Sequence, residues 1–134
     1  MIPVSTGLAR GVERLLPQLA GRVEAKAIRV PVVNVSAIDL VVTLARPATA
    51  AAINACMRHE GEAVYGSRLA CSGDPHASID FNHSAHSAIV DTSQTRMSGE
   101  RLANLLVWFD NEWGFANRMV ELAAVWKGRM GRGG

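Results

Sequence analysis

Trp108-Phe109-Asp110-Asn111-Glu112-Trp113-Gly114-Phe115-Ala116-Asn117 is the stretch from which the rest of the chain is best read. The apolar run that leads into it, Leu105-Leu106-Val107-Trp108-Phe109, has the length and composition of a buried strand and stops at Asp110-Asn111-Glu112. From Phe115 onward the apolar residues change to helical spacing, at Phe115, Met119, Leu122, Ala123 and Trp126. A strand turning sharply into a helix, with polar side chains gathered at the junction, is a common place to hold a ligand. Capping of the new helix by the same polar residues is the equally good structural reading.

Upstream, Ser5-Thr6-Gly7 precedes Leu8, Val12, Leu15, Leu16 and Leu19, which predicts an amphipathic helix with a hydroxyl cap, broken near Pro17. A helix N-terminus can hold an anion, although periodicity alone favours simple capping by Ser5 or Thr6. Two strands are predicted over 23–30 and 35–44, separated by Pro31 and Asn34. The second is almost continuously apolar, which predicts burial on both faces, and Asp39 within it requires a partner. Arg29 closes the first strand. Such an arginine is commonly a surface residue, but its planar fork of donors also suits a phosphate.

Pro47 and Thr49 open a helix predicted from Ala50 to about His59, ended by Gly61, with Cys56 on its apolar face as a buried, inert thiol. Residues 66–76 read as a surface loop carrying Cys71, with no neighbouring base to activate it. Short strands are predicted at 78–81 and 87–90, then 92–97, a turn at Ser98-Gly99-Glu100 and a strand over 102–109. Strands in hairpin-like succession predict an α+β fold with a mostly antiparallel, mixed sheet and helices on one face.

Composition bounds the function classes. The 134 residues suit one domain, 49% hydrophobic and 19% charged, with a net charge of +2. No basic stripe points to nucleic acid, no apolar run approaches membrane-spanning length, and no signal pattern opens the chain. Two cysteines without a Cys-x-x-Cys pair fit a reducing compartment, so a cytoplasmic protein is expected. The glycine- and arginine-rich end, 128–134, is expected to be a disordered tail. Asp74, His76, Asp80, His83 and His86 form the densest set of potential metal ligands. Their spacing matches no closed site, and histidines hydrogen-bonded in a turn are the plainer reading, so no metal is expected. No Gly-x-Gly-x-x-Gly, Gly-x-Ser-x-Gly or phosphate-cradling loop is present.

The ordered segments Ile2–Gly7, Arg29–Leu40, Asp80–His83, His86–Asp91, Gln94–Arg96 and Trp108–Met119 resemble the glyceraldehyde-3-phosphate dehydrogenase superfamily. The resemblance covers Ile2 to about Trp126. Phe81-Asn82-His83, His86-Ser87-Ala88-Ile89-Val90-Asp91, Gln94-Thr95-Arg96 and Trp113-Gly114-Phe115-Ala116-Asn117-Arg118-Met119 are closest to its erythrose-4-phosphate branch. The resemblance implies an NAD-dependent aldehyde dehydrogenase acting on a sugar phosphate, yielding 4-phosphoerythronate for pyridoxal 5'-phosphate biosynthesis, in a cytoplasmic homotetramer. In that family a cysteine thiolate attacks the aldehyde, a histidine takes the proton, hydride passes to the nicotinamide and water releases the thioester.

Carried over by position, Thr6 and Gly7 match the helix-start pair that contacts an anion, and Arg29 the arginine that binds substrate phosphate. Asn111 matches the asparagine bonded to the nicotinamide carboxamide. Phe115 stands where the glyceraldehyde branch usually has tyrosine. Neither Cys56 nor Cys71 aligns with the nucleophile. The resemblance implies that the Rossmann NAD domain, the catalytic cysteine and the catalytic histidine would lie before residue 1. Residues 1–127 would then be a partial C-terminal catalytic domain, inactive alone. Gly7 leaves hydrolysis and phosphorolysis both open. The alternatives are a phosphorylating glyceraldehyde-type activity, a non-catalytic oligomerisation module, or a metal-binding domain using His76, His83 and His86.

Overall fold

A computed structural model describes residues 1–130, with helix assigned as far as Met130. The chain divides into two compact units, Met1–Val33 and Asn34–Gly134.

The first unit holds a short antiparallel ladder between β1 (Ile2–Val4) and β2 (Ala27–Arg29), with Ile2 opposite Arg29 and Val4 opposite Ala27. Between them lie α1 (Leu8–Leu15) and a 3₁₀ turn at Pro17–Leu19. The predicted helix is therefore split, because Pro17 has no N–H to give and its ring opposes continuation. The strand expected over 23–30 shrinks to three residues. Glu13 reaches past the 3₁₀ turn, its Oε1 accepting from the N–H of Gly21 at 2.7 Å.

The second unit is built on a four-stranded mixed sheet in the order β3-β6-β5-β4. β3 (Ser36–Thr43) pairs antiparallel with β6 (Leu102–Phe109), and β6 with β5 (Ala88–Ser98). β4 (Leu69–Ser72) joins β5 in parallel. Three strands of the expected α+β sheet thus take a different form. The 87–90 and 92–97 segments are one continuous strand, interrupted by a register shift between Asp91 and Arg96. The supposed loop at 66–76 contributes β4, and the supposed strand at 78–81 is a 3₁₀ turn at Ser78–Phe81. Four apolar or small residues between Arg68 and Gly73 are too short a run for composition to identify a strand.

Alternation along the strands divides the apolar residues between the two faces of the sheet. On one face Val90, Ala103 and Leu105 are buried, with Val107, Cys71 and Leu69 around them and Ile53 and Met57 of α2 (Ala50–Glu60) laid across. On the other, Ile89, Val35 and Phe81 are buried against Ala70 and Trp108, with Phe81 stacked on Trp108 at 5.5 Å. α2 begins as expected, Thr49 Oγ1 accepting from the N–H of Ala52 at 3.1 Å. It ends as expected, with Gly61 as its C-cap residue, and the chain continues through a π-helical turn at Gly61–Tyr65. Two expectations about burial fail. Cys56 is exposed, since the face α2 presents to the sheet is set by Ile53 and Met57. β3 is not buried on both sides: Ile38 and Val42 are half-buried while Val41 stays 58% exposed, because β3 is an edge strand with one neighbour. Asp39 finds its partner in the side-chain amide of Asn104 on β6.

α3 (Asn111–Met130) follows β6 directly. It runs past the boundary of the expected tail at 128, and residues 131–134 lie outside the described residues. Gly114 brings it close to the chain at His86–Ser87, where a Cβ would stand 3.3 Å from the carbonyl oxygen of His86. Arg118 adds a hydrogen bond to Ser87 Oγ at 3.1 Å and an ion pair with Glu121 at 2.6 Å. No helix among the described residues is long and apolar enough to cross a membrane.

Candidate functional site

The junction between β6 and α3 is organised by Asp110, whose side chain is 1% exposed. A carboxylate so deeply placed must be satisfied by donors or it would be costly to bury. Oδ1 accepts from the N–H of Trp113 at 3.0 Å, capping the first turn of α3. Oδ2 accepts from Asn34 Nδ2 at 2.8 Å and from the N–H of His83 at 2.9 Å. Asn34 also donates to Asn82 Oδ1 at 2.7 Å. Burial raises the pKa of Asp110, but the donors from Trp113, His83 and Asn34 outweigh it and hold the carboxyl below its ordinary value. The imidazole of His83 lies over the indole of Trp113, ring centres 4.5 Å apart. One carboxylate therefore draws together three segments distant in sequence.

Asn111 is the first helical residue of α3, exposed, with no side-chain hydrogen bond recorded among the described residues. Its amide offers one donor group and one acceptor at the positive end of the helix, chemistry that suits a carboxamide.

Thr6, Gly7 and Arg29 belong to the first unit. Thr6 Oγ1 accepts from the N–H of Leu8 at 3.2 Å, and Gly7 is the residue from which α1 starts. The N-cap position itself is Gly7, which has no side-chain cap, so Thr6 satisfies one N–H from the residue before the cap and is not the capping residue expected. Arg29 is exposed on β2, opposite Ile2, whereas Thr6 and Gly7 leave β1 from its Val4 end. The ladder by itself does not bring the arginine to the helix start.

The histidine-rich stretch disperses. His76 Nε2 meets Ser72 Oγ at 2.8 Å, and its Nδ1 lies 3.7 Å from Asp80 Oδ2. That order of serine, histidine and carboxylate is loose, because Asp80 Oδ2 already accepts from the N–H of Ala77 at 2.7 Å. His86 Nδ1 meets Ser84 Oγ at 3.2 Å, and His83 is engaged at Asp110 and Trp113. Among the described residues no group of three or more His, Cys, Asp or Glu could hold a metal ion. Cys71 faces a cavity of about 160 Å³ lined also by Arg58 and Glu62. Burial pushes its thiol up, Arg58 opposing and Glu62 adding, which keeps it protonated and poorly nucleophilic.

The residues that sequence reasoning missed are Asp110, Asn34 and His83 as one connected group. A signal for it exists only in the backbone. Val35 and His83 are the non-glycine residues with positive φ among those described, at 71° and 58°. Both adjoin or supply the partners of Asp110.

This is an α+β domain whose mixed sheet delivers a capped helix start bearing an exposed asparagine. The family model of the glyceraldehyde 3-phosphate dehydrogenase C-terminal domain matches residues 1–111, from the first strand to the first residue of α3. The chain belongs to that family.

Proposed function

We propose that the chain acts as the C-terminal part of the catalytic domain of an NAD-dependent erythrose-4-phosphate dehydrogenase, which oxidises D-erythrose 4-phosphate to 4-phosphoerythronate. Membership of the dehydrogenase family supports the reaction class. The choice of branch rests on the Phe81-Asn82-His83, Gln94-Thr95-Arg96 and Trp113–Met119 motifs. The observation that carries the reading is Asn111, exposed at the first position of α3 behind a fully satisfied Asp110 cap. When bound, NAD supplies the hydride acceptor. Asn111 holds the carboxamide and so selects the ring face presented; separately, in the first unit, Arg29 is assigned to substrate phosphate and the Thr6-Gly7 helix start to an anion. Positioning groups of this kind act by orientation and provide no nucleophile, and neither Cys56 nor Cys71 supplies one.

NADH formation is measured with erythrose 4-phosphate and with glyceraldehyde 3-phosphate, each with and without inorganic phosphate. Joined to the NAD-binding domain and nucleophile that the proposal requires, the chain should prefer the four-carbon substrate and need no phosphate. A preference for glyceraldehyde 3-phosphate with a phosphate requirement would move the protein to the phosphorylating branch. The 134-residue chain alone should give no turnover.

A cytoplasmic homo-oligomer, a tetramer as in the family, belongs to the same proposal. It is supported by apolar residues left uncovered along β3 and α3, among them Val41, Val120 and Trp126 at 58%, 71% and 68% exposure.

A further inference from the structure

Asp110 has more partners than a helix cap requires. Capping uses Oδ1 and the N–H of Trp113 alone. The other oxygen is spent on Asn34 and on the backbone of His83, groups that do nothing for the helix itself. Reaching both costs backbone strain. Val35 is a buried β-branched residue at φ 71°, a conformation such residues rarely adopt, and His83 sits at 58°. Both non-glycine residues with positive φ among those described thus flank or supply this one oxygen. Strain retained at one point and matched by a buried, fully paired charge marks a geometry that the surrounding fold holds in place.

We propose that Asp110, through its Asn34–His83 bridge, is a positioning residue for Asn111. The bridge fixes the start of α3 against the 34–35 and 82–83 segments, and so sets the direction in which the Asn111 amide projects. This rests on the reading of Asn111 as the nicotinamide contact. His83, stacked on Trp113, holds the same turn from its outer side.

Capping and bridging can be separated by substitution. Asp110→Asn can keep a carbonyl oxygen toward the Trp113 N–H, but its NH₂ then faces the NH₂ of Asn34 and the N–H of His83. Asn34→Ala keeps the carboxylate, the cap and His83, and removes one strut; it serves if Asp110→Asn folds poorly. The first readout needs no cofactor: hydrogen exchange and ¹⁵N relaxation of the Asn111 and Trp113 backbone amides in the full chain. Both variants keep the cap, so protection at these amides should fall by about threefold, less than the roughly tenfold that losing the cap itself would cost. The second readout is facial selectivity of hydride transfer from deuterated erythrose 4-phosphate by the chain joined to the NAD-binding domain and nucleophile that the proposed function requires, which should fall from one product to a mixture in both variants. Unchanged amides and unchanged selectivity in Asp110→Asn and Asn34→Ala would overturn the positioning role. Asn111→Ala is the control for the underlying reading. If it leaves selectivity intact, the nicotinamide contact is wrong, whatever the amides of the other variants do.

Discussion

Two buried carboxylates set the acid behaviour of the second unit. Asp110 is held by Trp113, His83 and Asn34. Asp91, 4% exposed, takes Ser93 Oγ at 2.6 Å and Trp108 Nε1 at 3.1 Å. Burial raises the pKa of Asp91, but the donors from Ser93, Trp108 and Gln94 bring it below the ordinary value. With both folded values depressed, the unfolded state binds protons first as pH falls. The stabilisation is therefore fully present above the unfolded carboxyl value of about 3.9 and is lost as pH drops through the folded values below it. Urea midpoints from pH 6 to pH 2.5 should stay level and then fall, and Asp91→Asn should flatten part of that fall. The thiols offer a second check. Cys56 is exposed and Cys71 half-buried with a raised pKa, so a disulfide reagent at pH 7.5 should modify Cys56 first and Cys71 slowly.

At the scale of elements, α3 depends on a glycine and β5 on an asparagine. Gly114→Ala places a methyl 3.3 Å from the His86 carbonyl oxygen, so the backbone at His86–Ser87 must give way by a few tenths of an ångström. A destabilisation of about 1–3 kcal/mol is expected, read as a lower urea midpoint. Asn54 of α2 braces the irregular part of β5, donating to Thr92 O at 2.9 Å and accepting from the buried Thr95 hydroxyl at 2.6 Å. Asn54→Ala strands that hydroxyl, and about 1–3 kcal/mol should be lost in the same measurement. Neither residue advertised itself in the sequence. Gly114 stood only as part of a motif and Asn54 carried no signal at all, because each is defined by a distant neighbour, His86 for Gly114 and Thr92 for Asn54.

Across the whole molecule the open question is coverage. α3 carries helical apolar spacing, yet Phe115, Met119, Leu122 and Trp126 remain 66%, 55%, 60% and 68% exposed. Apolar area of this kind favours association. Sedimentation of the isolated chain should show self-association that weakens when Val41 and Trp126 are replaced by serine; a clean monomer at tens of micromolar would count against it. The α+β class, β6, α2 with its Thr49 cap and the β6–α3 junction were all legible in the sequence, since each rests on local periodicity or local hydrogen bonding. So was the family, since its motifs are contiguous residues. Which oxygen Asp110 gives to Asn34 and His83, that β4 runs parallel to β5, and that β3 is an edge were decided only in three dimensions. Pairing partners, burial and shared hydrogen bonds depend on residues far apart in the chain, and local spacing carries no record of them.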